Sequence, residues 1–335
     1  MRQRGFGAAA GVVALVAGAL LAASPTGQEP AGREQADDAA FEPGRTPWGD
    51  PDLQGIWSPG YILTPLERPD EFAGQEFLTD EDVAALEERA SVRRRDVRAE
   101  RGSVEDVEGA YNEAFTGRGK EVIRTRRTSL IVDPPDGKIP FTPHGRAVAD
   151  AAREKMRSEL ADGPEDRRDL DRCRGVSVPF ISGTSGTFSR IVQTPGSVTL
   201  YHEDGHIGGG YRTVALDGRP HVAPHIRQWL GDSVGRWEGD TLVVDTTNFS
   251  GLASFNGSGE QLHLVERFTP VAADLIMYEV TVADPQAWTR PWTIELPLQR
   301  IDNEENQIFE AACHEGNYAM TSILAGARVL ERQGR

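Results

Sequence analysis

The sequence predicts a mainly β fold: an antiparallel up-and-down barrel with an α-helical insertion and a C-terminal helix. Three observations carry this. Beyond residue 186, apolar-rich runs of about five to eight residues alternate with turn signals at regular spacing. No helical period interrupts them. Helical patterns are confined to the stretch between the first strand and residue 186, and to the tail.

Taken in order, residues 25–47 are polar and rich in Pro, Gly and acidic residues, which reads as a flexible leader. One domain is expected over 48–335. Gly55–Ser58 is the first strand. Thr79 then caps a helix, with Asp82 at the capping-box position and Leu78 and Val83 forming a hydrophobic staple. Its arginines and glutamates read as a solvated face. Thr128–Val132 is a further short strand. A second helix starts at Thr142-Pro143 and carries Val148, Ala151, Ala152, Met156 and Leu160 along one stripe. The helical insertion therefore spans about 59–186. Strands follow at Phe188–Thr194, Val198–Glu203, Tyr211–Leu216, Gly235–Asp240, Thr241–Asn248, Leu262–Thr269, Leu275–Val282 and Pro291–Leu298, and Asn317–Leu330 closes the chain as a helix.

The 335 residues carry 52 acidic and 36 basic side chains, a net charge of −16. That balance excludes a nucleic-acid binder, which needs a basic face, and a surface drawn to anionic lipid. Residues 1–24 read as a signal peptide: Arg2 and Arg4 precede a Gly/Ala/Val/Leu run that ends at Ala22-Ala23-Ser24. The run is short and weakly apolar for a span, so no stable membrane anchor is expected after cleavage. The predicted location is exported, periplasmic or secreted, and removal of the two arginines takes the charge to −18 (34 basic against 52 acidic residues). In an oxidising compartment the only two cysteines, Cys173 and Cys313, are expected to pair as a disulfide.

Two resemblances accompany this reading. Gly55-Ile-Trp57 on a first strand, followed by a β-meander and a closing helix, resembles the lipocalin-like (calycin) barrels. There a Trp near the first strand closes one end against a late-strand Arg, a part that Arg267 or Arg300 could supply here. The insertion of more than 100 residues after the first strand departs from that family. Over nearly the whole mature chain, Pro51-Asp-Leu-Gln-Gly-Ile-Trp57, Arg127–Pro135, Asp217-Gly-Arg-Pro-His221, Gly231–Phe249 and Trp288-Thr-Arg-Pro-Trp292 resemble an abundant, uncharacterised group of exported bacterial proteins. That likeness implies export and a β-rich fold, and no mechanism.

Candidate chemistry rests on few residues. His202-Glu203-Asp204-Gly205-His206 matches HExxH, but the preceding Ser-Val-Thr-Leu-Tyr is strand-like and Gly205 and Gly208–Gly210 disfavour a helix. On a strand the two imidazoles stand about 13 Å apart, too far to share a metal. Gly183-Thr-Ser-Gly186 lacks the lysine of a phosphate-binding loop, so no nucleotide cofactor is expected. Leu262–Phe268 alternates, with His263, Val265 and Arg267 on one face and Leu262, Leu264, Glu266 and Phe268 on the other. Asp245 and Glu279 are also ionisable groups inside β segments. Two readings stay open: these groups line a polar cavity where His/Glu pairs exchange protons, or they stand on the outer wall as cross-strand ion pairs. A one-residue change of register interchanges them.

The functional expectation is a polar-lined cavity that binds a small apolar or aromatic molecule. In an enzyme version it transforms that molecule by acid–base chemistry of lyase, isomerase or hydratase type. His206 or His263 then serves as acid or base with Glu203 or Glu266 as partner, while His221, His225, Trp229, Asp245 and Arg267 surround the substrate. The alternatives are a non-catalytic binder, a cell-envelope interaction protein, and a metal-dependent hydrolase using His206, His221 and His225. Only the last calls for a cofactor, a divalent metal.

Overall fold

Short alternating strands curl into a closed ring when each pairs with the next and the last returns to the first. A computed structural model of the chain describes residues 41–59, 64–94, 121–157, 160–169, 171–175, 177–181, 188–203, 209–252, 255–301, 308 and 313–334. The strands are β1 (Gly55–Ser58), β2 (Ile131–Asp133), β3 (Phe188–Thr194), β4 (Ser197–Glu203), β5 (Gly210–Ala215), β6 (Asp232–Glu238), β7 (Thr241–Thr247), β8 (His263–Ala272), β9 (Leu275–Ala283) and β10 (Trp292–Arg300). The helices are α1 (Asp80–Arg94), α2 (Pro143–Arg157) and α3 (Ala319–Arg332).

Hydrogen-bonded neighbours run β1-β3-β4-β5-β6-β7-β8-β9-β10, and β10 pairs back to β1 through Trp57↔Arg300 and Ser58↔Gln299, closing nine strands into a barrel. The tenth, β2, lies beside β10. The predicted barrel class is thus present, with one seam that departs from antiparallel pairing. β5 and β6 are parallel at Val214↔Ser233 and Ala215↔Val234. The Asp217-Gly218 turn suggested a hairpin. Residues 216–231 instead return along the wall, meeting it in an isolated bridge at Gln228↔Phe249, so β6 starts at the same end as β5, as a parallel pair requires.

Many inward positions are apolar and buried, among them Val198 and Leu200 on β4, Leu242 and Val244 on β7, Leu264 and Phe268 on β8, and Ile276, Val280 and Val282 on β9. Buried aliphatic and aromatic surface of this kind is the main favourable contribution to folding, at about 25 cal/mol per Å² removed from water. Trp57 is buried on β1, and the guanidinium carbon of Arg300 lies 5.4 Å from its ring centroid. Of the two arginines expected to close that end, Arg300 occupies the place.

The helical insertion is anchored locally. The capping box of α1 is reciprocal: Thr79 N–H donates to Asp82 Oδ2 at 2.9 Å, and Asp82 N–H donates to Thr79 Oγ1 at 3.2 Å. Thr142 Oγ1 accepts from Gly145 N–H at 2.9 Å at the start of α2. Gly145 permits that helix to approach the loop before β10, because a Cβ there would stand 2.1 Å from the Ala287 carbonyl oxygen. The Cys173–Cys313 disulfide is formed and ties the end of the insertion to the segment leading into α3, across 140 residues. The fold begins before Trp48: Asp52 N–H donates to the Gly44 carbonyl, and Arg45 Nη2 to Asp240 at 2.7 Å. Among the described residues, no helix is long and apolar enough to cross a membrane.

Candidate functional site: a histidine–aspartate chain on the outer wall

The register of β6, β7 and β8 settles which side chains face out. Val234, Asp245 and Val265 are aligned, as are Ser233 with Thr246 and Thr246 with Leu264. Since successive residues alternate faces, Ser233, Thr246, Leu264 and Glu266 point inward, and Asp232, Asp245 and His263 outward. The crossover of residues 216–231 covers this patch and delivers His221. It is held down by the wall beneath it: Asn248 Nδ2 donates to the Val222 carbonyl at 2.9 Å, Gln228 N–H to the Asn248 carbonyl, and Ser250 N–H to the Gln228 carbonyl. Asn248 has φ of 60°, a left-handed conformation that asparagine tolerates better than most residues.

The outcome is a continuous chain of charge partners. His263 Nε2 lies 3.0 Å from both Asp245 carboxylate oxygens. Asp245 Oδ1 is also 3.0 Å from His221 Nε2, and His221 Nδ1 is 2.9 Å from Asp232 Oδ2. Arg219 donates to Asp232 from Nη1 and Nη2, at 3.1 and 2.7 Å, and Val222 N–H donates to the same carboxylate at 3.1 Å. Both nitrogens of His221 face carboxylates, which only accept. His263 differs. One nitrogen donates to Asp245, and Nδ1 has no partner among the described residues, with 42% of the side chain exposed.

Electrostatics follow from the partners. The hydrogen bond to Asp245 raises the His263 pKa above the ordinary histidine value against partial burial, with added attraction from the same carboxylate. Burial opposes ionisation of Asp245, but His263 and His221 together outweigh it and hold its carboxyl below the usual range. Asp232 is more deeply set. Burial works against its charge, yet hydrogen bonds from Arg219, His221 and Val222 bring the pKa down to about 2.

A second ionic cluster occupies the lumen. Arg212 on β5 reaches across to β8 and donates from Nη2 to both Glu266 oxygens, at 2.5 and 2.6 Å. Nη1 donates to Ser233 Oγ at 3.1 Å and Thr246 Oγ1 at 2.9 Å, and Tyr278 O–H donates to Glu266 Oε1 at 2.9 Å. The Arg212 and Glu266 side chains are 3% and 1% exposed, so this pair is sealed from solvent. Burial, then the negative charge of Glu266, pushes the Tyr278 hydroxyl well above the ordinary tyrosine range. Nearby, His202 on β4 lies with Nδ1 2.9 Å from Ser189 Oγ and stacks on Phe180 at 4.5 Å between centroids. Burial, then the charge of Arg212, drives its pKa down to about 3, so the ring is neutral over ordinary pH.

The residues singled out in the sequence separate accordingly. His221, Asp245 and His263 meet in the outer chain. Glu266 stands on the opposite face of β8 from His263 and is paired with Arg212. Arg267 faces out and donates to Glu238 at 2.9 Å, an exposed ion pair. Glu203 is buried at the end of β4 and accepts from Tyr201 O–H at 3.2 Å. His225 is exposed on the crossover, and Trp229, on the same crossover, stacks under Arg174 at 4.1 Å. His206 lies outside the described residues. Among the described residues, no group of three His, Cys, Asp or Glu side chains is arranged to hold a metal ion.

Arg212, Asp232, Tyr278 and His202 were not legible as partners. Arg212 had one signal, its place on the same strand face as buried Val214. Asp232 had none beyond proximity to a turn. Comparison of the chain with family models, curated proteins and solved structures gives no significant match, so the geometry of these two clusters is the ground for a functional reading.

Proposed function

We propose that this barrel is an exported acid–base catalyst acting on a small apolar or aromatic molecule, with His263 as the proton-transferring group and Asp245 as its orienting carboxylate. The single observation behind this is the His263 geometry: Nε2–H held by both Asp245 oxygens at 3.0 Å, and Nδ1 without a partner among the described residues on a side chain that is 42% exposed. That arrangement fixes the tautomer. The lone pair sits on Nδ1, where it takes a proton from carbon or oxygen of a substrate, and Asp245 stabilises the imidazolium that forms. The proton then passes back to the product or to water, which suits lyase, isomerase or hydratase chemistry. His221, fixed between Asp245 and Asp232, keeps the Asp245 carboxylate in place. The raised pKa of His263 means that base activity grows as pH rises through that pKa, while the protonated form serves as acid below it.

Export is part of the same proposal. It is supported by the signal-like residues 1–24, the likeness to exported bacterial proteins, and a disulfide, which persists in oxidising compartments.

The test uses a generic proton-abstraction probe, 5-nitrobenzisoxazole, in which removal of the ring C–H proton breaks the N–O bond and releases a coloured phenolate. The expected result is saturable turnover that falls at least about 100-fold in His263→Ala, the scale of a positioned general base, with the circular dichroism spectrum unchanged. Turnover that persists in His263→Ala would overturn the proposal.

A further inference from the structure

Arg212 and His202 stand on the lumen face of β5 and β4 as diagonal neighbours, because Leu200 lies opposite Arg212 and Gly210 opposite His202. Each residue is 5% exposed. Both terminal nitrogens of Arg212 are engaged, but among the described residues its Nε–H meets no acceptor, and Nε2 of His202 has no partner either. Native interiors nearly always supply partners to buried N–H groups, so two such atoms on one lumen face call for an acceptor there. Gly210 brings no side chain to the position across from His202. Phe180, from the insertion, stacks on the imidazole at 4.5 Å and 27°, which gives the same place a flat apolar wall.

We propose that the lumen holds a second binding site, separate from the His263 chain, for a neutral planar carbonyl compound whose oxygen accepts from Arg212 Nε–H and His202 Nε2–H. Charge selects the ligand class. Glu266 already matches Arg212, and His202 is neutral, so an anion brought here would be buried without a counter-charge, beside a carboxylate. The site uses the tautomer in which the Ser189 hydroxyl, 2.9 Å from Nδ1 of His202, donates to that nitrogen and the ring proton stands on Nε2 as a donor. An aryl ketone, ester or amide meets both requirements, offering one acceptor oxygen and a face to lie along Phe180 and His202.

The experiment titrates the whole protein with acetophenone, ethylbenzene and benzoate, reading the arginine Nε–H signals by proton–nitrogen NMR. The expected result is saturable acetophenone binding that moves the Arg212 Nε–H signal, ethylbenzene at least tenfold weaker, and no benzoate binding. His202→Phe keeps a ring against Phe180 and removes the donor. It weakens acetophenone at least tenfold and leaves ethylbenzene unchanged; should it fail to fold, the wild-type titration alone decides. Equal affinity for acetophenone and ethylbenzene, an unmoved Arg212 signal, or a water contact to that N–H surviving saturation overturns the site. Turnover of 5-nitrobenzisoxazole is read separately, so either proposal can fail while the other stands.

Discussion

The two faces of the β6–β7–β8 wall carry similar residue types and do different physical work. On the lumen face, Arg212 and Glu266 form an ion pair that Ser233, Thr246 and Tyr278 complete, sealed from water. On the outer face, Asp232, His221, Asp245 and His263 form a chain that is charged but still reaches solvent at His263. Burial explains the difference. In the lumen the two charges offset each other away from water, and removal of either side chain strands the other in a low dielectric, so the pair organises the interior. Outside, solvent takes up the charge change, and hydrogen bonds tune rather than lock the titration. A protein can therefore place a proton-transfer group three residues from a structural ion pair, on the other side of the same strand.

The comparison can be broken most severely in the lumen. Glu266→Ala leaves Arg212 buried and unmatched, and is expected to cost about 3–5 kcal/mol in urea unfolding. Exchanging both residues for apolar ones of similar volume recovers much of that loss. If Glu266→Ala behaves as a surface substitution, the lumen pair is not sealed.

On the outer wall the largest expected effect concerns pH. The raised pKa of His263 gives a stabilisation present in full below its unfolded value and lost as pH rises through the folded value. The lowered pKa of Asp245 gives one present above its unfolded value and lost as pH falls. Asp245→Asn removes both, so reaction of His263 with diethyl pyrocarbonate, followed by mass spectrometry, shifts its half-point to lower pH. Asp232 behaves as a sharper acid. From about 2 folded and the usual carboxylate value unfolded, Asp232→Asn is expected to lose roughly 2 kcal/mol at neutral pH, and the deficit fades as pH falls from about 4 to about 2. An acid-unfolding profile unchanged by Asp232→Asn would show that the crossover is not held by this carboxylate. The smallest effect belongs to Arg267→Ala, which breaks only an exposed pair with Glu238 and leaves the urea midpoint unmoved.

Much of the architecture was legible because local signals agreed with the tertiary outcome. Thr79 and Asp82 start α1, Thr142 and Pro143 start α2, and the strands from Phe188 onward fall within a few residues of their expected limits. The parallel seam was not legible, since Asp217-Gly218 turns the chain whether or not the next strand pairs at once. The candidate site was half legible. His221, Asp245 and His263 drew attention as ionisable groups in or beside β segments, yet Leu262–Phe268 has apolar residues on both faces. Only pairing with β7, Glu266 opposite Val244 and Leu264 opposite Thr246, decides that Glu266 goes in and His263 goes out. His263 and Glu266, considered as one acid–base pair, thus lie on opposite sides of the wall. Their actual partners, Asp245 and Arg212, come from strands whose neighbourhood no local pattern reveals.

Asp245 makes His263 a solvent-facing acid–base group. The most direct test of this role is an NMR pH titration of the His263 ring in the wild type and in Asp245→Asn. The expected result is a wild-type pKa above the ordinary histidine value, with the Nε2–H tautomer in the neutral form, and a fall in that pKa when Asp245 loses its charge. A His263 that titrates at or below the ordinary value and does not respond to Asp245→Asn would contradict it.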